Sequence, residues 1–72
     1  MEDTFWEIME QVFDEEKINL EDKLEDLDWD SLTKISLISE IEEEFDIMMS
    51  QKNIQSFIYV KDILNFIKKC FK

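Results

Sequence analysis

The chain is expected to be all-α: a small bundle of three main helices plus one short helix, with a long loop between the first and second helices. Three observations lead there. Gly and Pro are both absent from the 72 residues, which removes the usual punctuation of hairpins and tight turns. Apolar residues recur at three- and four-residue steps in separate segments, the pattern of helices with one buried face. An apolar content of 44% at this length suffices for one modest core, so residues 1–72 are expected to form a single domain.

The first helix is predicted in DTFWEIMEQVFDEE, where Phe5, Trp6, Ile8, Met9, Val12 and Phe13 share a face. Asp3 or Thr4 is its expected cap, and Glu2, Asp3 and Glu7 suit the positive end of its dipole. Residues 15–30, EEKINLEDKLEDLDWD, scatter Ile18, Leu20, Leu24 and Leu27 among charges. That spacing predicts an ordered loop pinned to the core at several points, with room for a further short helix.

The second helix is predicted in SLTKISLISEIEEEF, with Leu32, Ile35, Ile38, Ile41 and Phe45 as one apolar stripe widened by Leu37. Asp30 or Ser31 is its N-cap, and Lys34 is placed to pair with neighbouring acids. Glu40, Glu42, Glu43 and Glu44 then crowd the C-terminal end, where negative charge opposes the helix dipole. A local choice that unfavourable hints at use. In DIMMSQKNIQSFIY a short helix is expected around 51–57, with Ser50 and Asn53 as candidate caps and Ile54, Phe57 and Ile58 as anchors. The last helix lies in VKDILNFIKKCF, with Val60, Ile63, Leu64, Ile67 and Phe71 on one face and Phe66 beside it. Lys68, Lys69 and Lys72 complement its dipole.

Charge and composition exclude several function classes. The net charge is −11, unevenly spread: residues 1–46 hold 18 acids against 3 lysines, and residues 47–72 hold 1 acid against 5 lysines. Such a field repels nucleic acid and anionic membrane, and steers basic protein surfaces toward the acidic side. The single Cys70 allows no internal disulfide, and there is no Cys/His set for zinc. With no His in the chain to activate a serine, nucleophilic catalysis is not expected. No apolar run is long enough to span a bilayer and no signal peptide is evident, so a reducing, cytoplasmic setting is the expectation; the chain is also expected to be a monomer.

The stretch DLDWDSL, residues 26–32, poses the sharpest question. Asp26, Asp28 and Asp30 alternate like the first ligands of a calcium loop. Such a loop also needs Gly at its sixth position and a bidentate Glu at its twelfth. Ser31 and Leu37 stand there instead, so no metal site is expected. Ser31 itself falls where an acidic loop meets the first turn of a strong helix. Unpaired backbone N–H groups and the positive dipole end there tolerate a phosphate ester. An ordinary capping serine in an acidic helical interaction module is the plainer reading of the same residues.

The string LDWDSLTKISLISEIEEEFDI resembles the acyl carrier protein family, in which Asp-Ser-Leu opens the second helix and a Glu-rich, Phe-terminated segment closes it. The match runs through Asp30-Ser31-Leu32, Leu37, Ile41, Glu42-Glu43-Glu44-Phe45-Asp46 and Ile47, and on to Val60, Asp62 and Ile63. The resemblance implies an acyl-carrier-protein-like bundle whose Ser31 carries 4′-phosphopantetheine, transferred from coenzyme A by a phosphopantetheinyl transferase. It further implies a carrier, not an enzyme, that holds acyl intermediates as thioesters for enzymes of fatty acid, polyketide or related biosynthesis. Asp30 and Leu32 flank the attachment point. Asp30, Leu32, Ile38, Glu40, Glu42, Glu43 and Glu44 are the candidate docking face for basic patches on acyl-loading and acyl-processing enzymes. Ile35, Ile41, Met49, Phe57, Ile63 and Phe66 are the candidates to line a sequestered acyl chain, although core packing alone explains each of them.

The chain departs from the family pattern at several points. Asp28 and Trp29 replace a Gly and a small residue, so Trp29 is expected either to restrict the arm or to touch partners. Thr33 and Ser36 stand where acids are common, and Gln51, Lys52, Asn53 and Gln55 leave the third-helix region nearly free of acids. These changes raise the alternative of an aminoacyl or specialised carrier of a secondary-metabolite or surface-modification pathway.

Overall fold

The computed structural model describes residues 2–14 and 17–70. Its elements are α1 (Glu2–Phe13), α2 (Ser31–Phe45), α3 (Gln51–Ser56) and α4 (Val60–Cys70), with one 3-10 turn at Leu24–Asp26 in the long loop between α1 and α2. This is the expected bundle of three main helices and one short one. The described residues contain no strand, only an isolated antiparallel bridge between Lys23 and Tyr59.

In α1 the buried residues are Phe5, Ile8, Met9 and Phe13, spaced by threes, fours and their neighbours as one helical face requires. Trp6 and Val12 only border the core, Trp6 packing edge-on against Phe5 with ring centroids 4.9 Å apart. The helix already includes Glu2, so Asp3 and Thr4 lie inside its first turn and do not cap it. Asp3 there acts through the dipole. With no glycine available, Asp14 takes the left-handed conformation after the helix (φ 54°), as Asp46 does after α2. Asp is one of the few non-glycine residues that adopts that conformation routinely.

The buried face of α2 corrects the sequence expectation. Thr33, Leu37, Ile41 and Phe45 are buried, a stripe of four-residue steps that faces α1 and the core. Leu32 and Ile35, expected on the core stripe, are 76% and 64% exposed, and Ile38 is half-buried. Two apolar stripes run along α2, one rising by threes and one by fours, and they converge at Ile41. Only the second is buried along its length; of the first, Ile38 packs partly against the core.

The loop before α2 is tied down by main-chain hydrogen bonds to the approach of α4. Leu24 N–H donates to the Ile58 carbonyl at 2.8 Å, Val60 N–H to Asp22 at 3.0 Å and Lys61 N–H to Leu20 at 3.0 Å. Two of the N–H groups that α4 leaves unpaired at its start are thereby satisfied by loop carbonyls. The Asp62 carboxylate serves the residues just before, accepting from the Ile58 and Tyr59 N–H groups at 2.9 Å each. Leu24 is fully buried, while Ile18, Leu20 and Leu27 pack partly against the core.

α3 is short and capped as anticipated. Ser50 Oγ accepts from Asn53 N–H at 3.2 Å, and Asn53 Oδ1 accepts from Ser50 N–H at 3.0 Å, a reciprocal capping box. Ile54 and Phe57 are buried, but Ile58, expected as an anchor, is 57% exposed. Phe57 is extended (φ −77°, ψ 129°), so Phe57 and its neighbour Ile58 turn to opposite sides, Phe57 inward and Ile58 out. α4 buries Val60, Ile63, Leu64 and Ile67. Phe66 is half-buried, edge-on to Phe57 at 5.8 Å. Phe71 and Lys72, also assigned to this helix from the sequence, lie outside the described residues. Lys68 reaches Glu2 at 3.5 Å, joining the end of α4 to the start of α1.

Candidate functional site

The site forms where the long loop turns into α2. Asp30 has extended backbone angles (φ −100°, ψ −178°), and its Oδ1 accepts the Thr33 N–H at 2.8 Å. Asp30, not Ser31, is therefore the N-cap. Hydrogen bonds from the Thr33 main chain and then its side chain hold the Asp30 carboxyl below its ordinary value of 3.8, because they favour the charged form. Ser31 is left as the first helical residue, exposed, and no hydrogen bond engages its hydroxyl among the described residues. A helix start fixes the Ser31 backbone while its side chain stays open to approach.

Ser31 opens onto a groove of about 220 Å³ between α2 and α3. Ser31, Lys34, Ile35 and Ile38 form one wall, and Gln51, Ile54 and Gln55 the other. Steps of three and four along α2 put Ser31, Lys34, Ile35 and Ile38 on one side of the helix, away from the buried stripe of Thr33, Leu37, Ile41 and Phe45. Lys34 and the two glutamines were not singled out for this surface by sequence. The three-residue step from Ser31 to Lys34 is the signal that marks the lysine; nothing local marks the glutamines, which arrive through the packing of α3.

Trp29 is packed. Its ring stacks on Phe13 at 5.9 Å with an interplanar angle of 24°, and the Lys34 ammonium lies 5.5 Å from its ring centroid. The indole thus closes the gap between the end of α1 and the start of α2. The same ring borders a hollow of about 140 Å³ with Leu24, Glu25, Phe57 and Ile58.

The acidic residues of α2 do not form one face. Glu42 follows Ser31, Ile35 and Ile38 along the groove side by steps of four and three, whereas Glu40 and Glu44 flank the buried stripe. Glu43 and Glu44 are exposed and Glu40 half-buried. Glu42 has a structural task, since its Oε2 accepts the Met49 N–H at 3.0 Å and ties the α2–α3 connection to the helix. The crowding of carboxylates at this helix end is thus partly explained. Leu32 stands exposed beside Ser31.

Of the residues considered for an acyl chain, Ile41, Met49, Phe57 and Ile63 are buried in the common core. Phe66 borders it, and Ile35 lies in the groove outside it. The half-buried Ile38 stands between the two.

A family profile described as a phosphopantetheine attachment site matches residues 5–67. Curated relatives agree. The chain is 44% identical over 64 residues to an acyl carrier protein of Phytoplasma mali, covering 86% of this chain and 76% of the relative. It is 31% identical over 67 residues to an acyl carrier protein of Campylobacter lari, covering 90% and 87%. An acyl carrier protein of Campylobacter concisus is 32% identical over 67 residues with the same coverage.

Proposed function

Because the chain belongs to the acyl carrier protein family, we propose that Ser31 is the residue its prosthetic group esterifies. That group is covalent 4′-phosphopantetheine, and the chain is a carrier acted on by a phosphopantetheinyl transferase and by acyl-processing enzymes. When bound, the group supplies a thiol that holds acyl units as thioesters. The chain's own residues anchor and present it.

One observation carries the assignment to Ser31. Its hydroxyl is exposed at the first residue of α2, freed from capping by Asp30, and opens on a groove between two helices. A rigid helix start fixes the anchor, and the open groove leaves room for an ester-linked arm and for the enzyme that installs it. Asp30, Leu32, Ile38, Glu40, Glu42, Glu43 and Glu44 are proposed to dock basic patches of partner enzymes from more than one side of α2, with Leu32 and Ile38 as the apolar contacts. Weak, fast-exchanging contacts of opposite charge suit a carrier that must leave each enzyme after one step. A monomer fits the net charge of −11, which opposes self-association. The cargo is assigned to fatty acid, polyketide or related biosynthesis, and Ile35, Ile41, Met49, Phe57, Ile63 and Phe66 are proposed to line any sequestered chain.

The α3 surface favours a second reading. Gln51, Lys52 and Gln55 are exposed there without a single carboxylate, so a partner gripping both helices meets negative charge on α2 alone. That asymmetry suits a specialised carrier served by its own ligase.

Incubation with coenzyme A and a broad-specificity phosphopantetheinyl transferase, followed by mass spectrometry, tests the Ser31 assignment. The wild type, Ser36→Ala and Ser39→Ala are expected to gain one arm, and Ser31→Ala none. No gain in the wild type, or a gain that survives Ser31→Ala, overturns it.

A further inference from the structure

We propose that Lys34 is the cation that holds the phosphodiester of the arm at Ser31, leaving the Trp29 ring when the arm is attached. The inference rests on the assignment of Ser31. Lys34 is the only lysine in α2 and follows Ser31 by three residues, so the helix sets both on one side. Both line the same groove, whose remaining polar walls are the neutral Gln51 and Gln55. An arm bound there meets no other cation from the groove, and it meets a carboxylate at Asp30 immediately before the anchor.

The resting position of Lys34 supports the same conclusion. The chain has 19 acids against 8 lysines, yet among the described residues Lys34 makes no ion pair; those pairs belong to Lys61 with Glu21 and Lys68 with Glu2. Its ammonium sits instead 5.5 Å from the centre of the Trp29 ring, attracted by the π-face. A phosphodiester offers a formal charge and oxygen acceptors, which an ammonium binds more strongly than a ring quadrupole in a partly exposed site. Trp29 precedes Ser31 by two residues and Lys34 follows by three, so a flexible lysine stem has only to cross between them. Trp29 itself stays stacked on Phe13 and becomes the reporter of that exchange.

The test compares wild type, Lys34→Gln and Lys34→Arg, each loaded with coenzyme A and transferase and weighed, with circular dichroism confirming the fold. Trp6→Phe in each leaves Trp29 as the only tryptophan, and the phosphorus NMR resonance is read in chains that keep Trp6. Loading is expected to shift Trp29 emission with lysine or arginine at this position, and to shift it several-fold less in Lys34→Gln. The wild-type phosphorus resonance is expected to move toward that of Lys34→Gln as salt approaches about 1 M, where the screening length is about 3 Å. Full loading at Ser31 with the same emission change in Lys34→Gln, or with no change in any chain, overturns the proposal and leaves the Ser31 assignment standing. A folded Lys34→Gln chain that accepts no arm also overturns it, because the lysine then serves transferase docking. No mass gain in any chain removes the Ser31 assignment and this proposal together.

Discussion

Asp30 accepts the Thr33 amide at 2.8 Å, and this single bond leaves the Ser31 hydroxyl free of capping. A serine at the cap position would turn its hydroxyl inward to the same amide. With the carboxylate one residue earlier performing that task, the serine moves into the first turn and its oxygen faces outward.

The cap also makes stability depend on acid. The folded Asp30 carboxyl titrates below its ordinary value of 3.8. A depressed carboxyl stabilises fully above its unfolded value, and the contribution is lost as pH falls through the folded value. Asp30→Asn keeps a capping oxygen that does not titrate. Urea unfolding across a pH series is expected to show wild type more stable than Asp30→Asn above about pH 4, with the gap shrinking as acid is added. A constant gap would contradict the assignment.

Which stripe of α2 is the core can be measured directly. Leu37→Ala, at a fully buried position, is expected to cost about 2–5 kcal/mol, a large part of the stability of a small domain. Ile35→Ala, at a 64% exposed position, is expected to change stability by no more than about 0.5 kcal/mol. Equilibrium denaturation of the two variants distinguishes the stripes, and equal losses would restore the three-step stripe as the buried one.

α3 has only six residues, too few to persist without its cap and its packing. Removing the capping box with Ser50→Ala is expected to cost about 1 kcal/mol. Hydrogen exchange is expected to quicken at Asn53 and Ile54 before α1 or α4 responds. Uniform loosening of all helices would show that α3 is not separately held by its cap.

Salt is expected to raise the melting temperature from low ionic strength upward. The exposed pairs of Lys61 with Glu21 and Lys68 with Glu2 are each worth about 0–1 kcal/mol, whereas a net charge of −11 repels itself over the whole surface. Screening therefore removes more repulsion than attraction. A melting temperature that is flat or falls with salt would reverse that balance.

The helices differ in how much of them could be read from sequence. α4 was plain because Val60, Ile63, Leu64 and Ile67 form a single stripe that admits one burial. α2 was plain as a helix but ambiguous in its orientation, because apolar residues fill both a three-step and a four-step track. Local periodicity cannot choose between tracks; the position of Phe5 and Met9 on α1 does. The start of α2 at Ser31 was legible through the change from loop to helix. The groove was not, since Gln51 and Gln55 acquire their place only when α3 folds back. Trp29 stood out as a departure from pattern, and its stacking partner, Phe13, lies too far along the chain for spacing to announce it.

The hydrogen bonds joining Leu20, Asp22 and Leu24 to Lys61, Val60 and Ile58 are made by main chain alone. They clasp a closed circuit of chain that contains Ser31, the whole of α2 and all of α3. Side chains on the outside of that circuit can be replaced without touching the clasp. The proposed docking surface is thereby free to change by substitution while the frame that holds Ser31 keeps its main-chain ties.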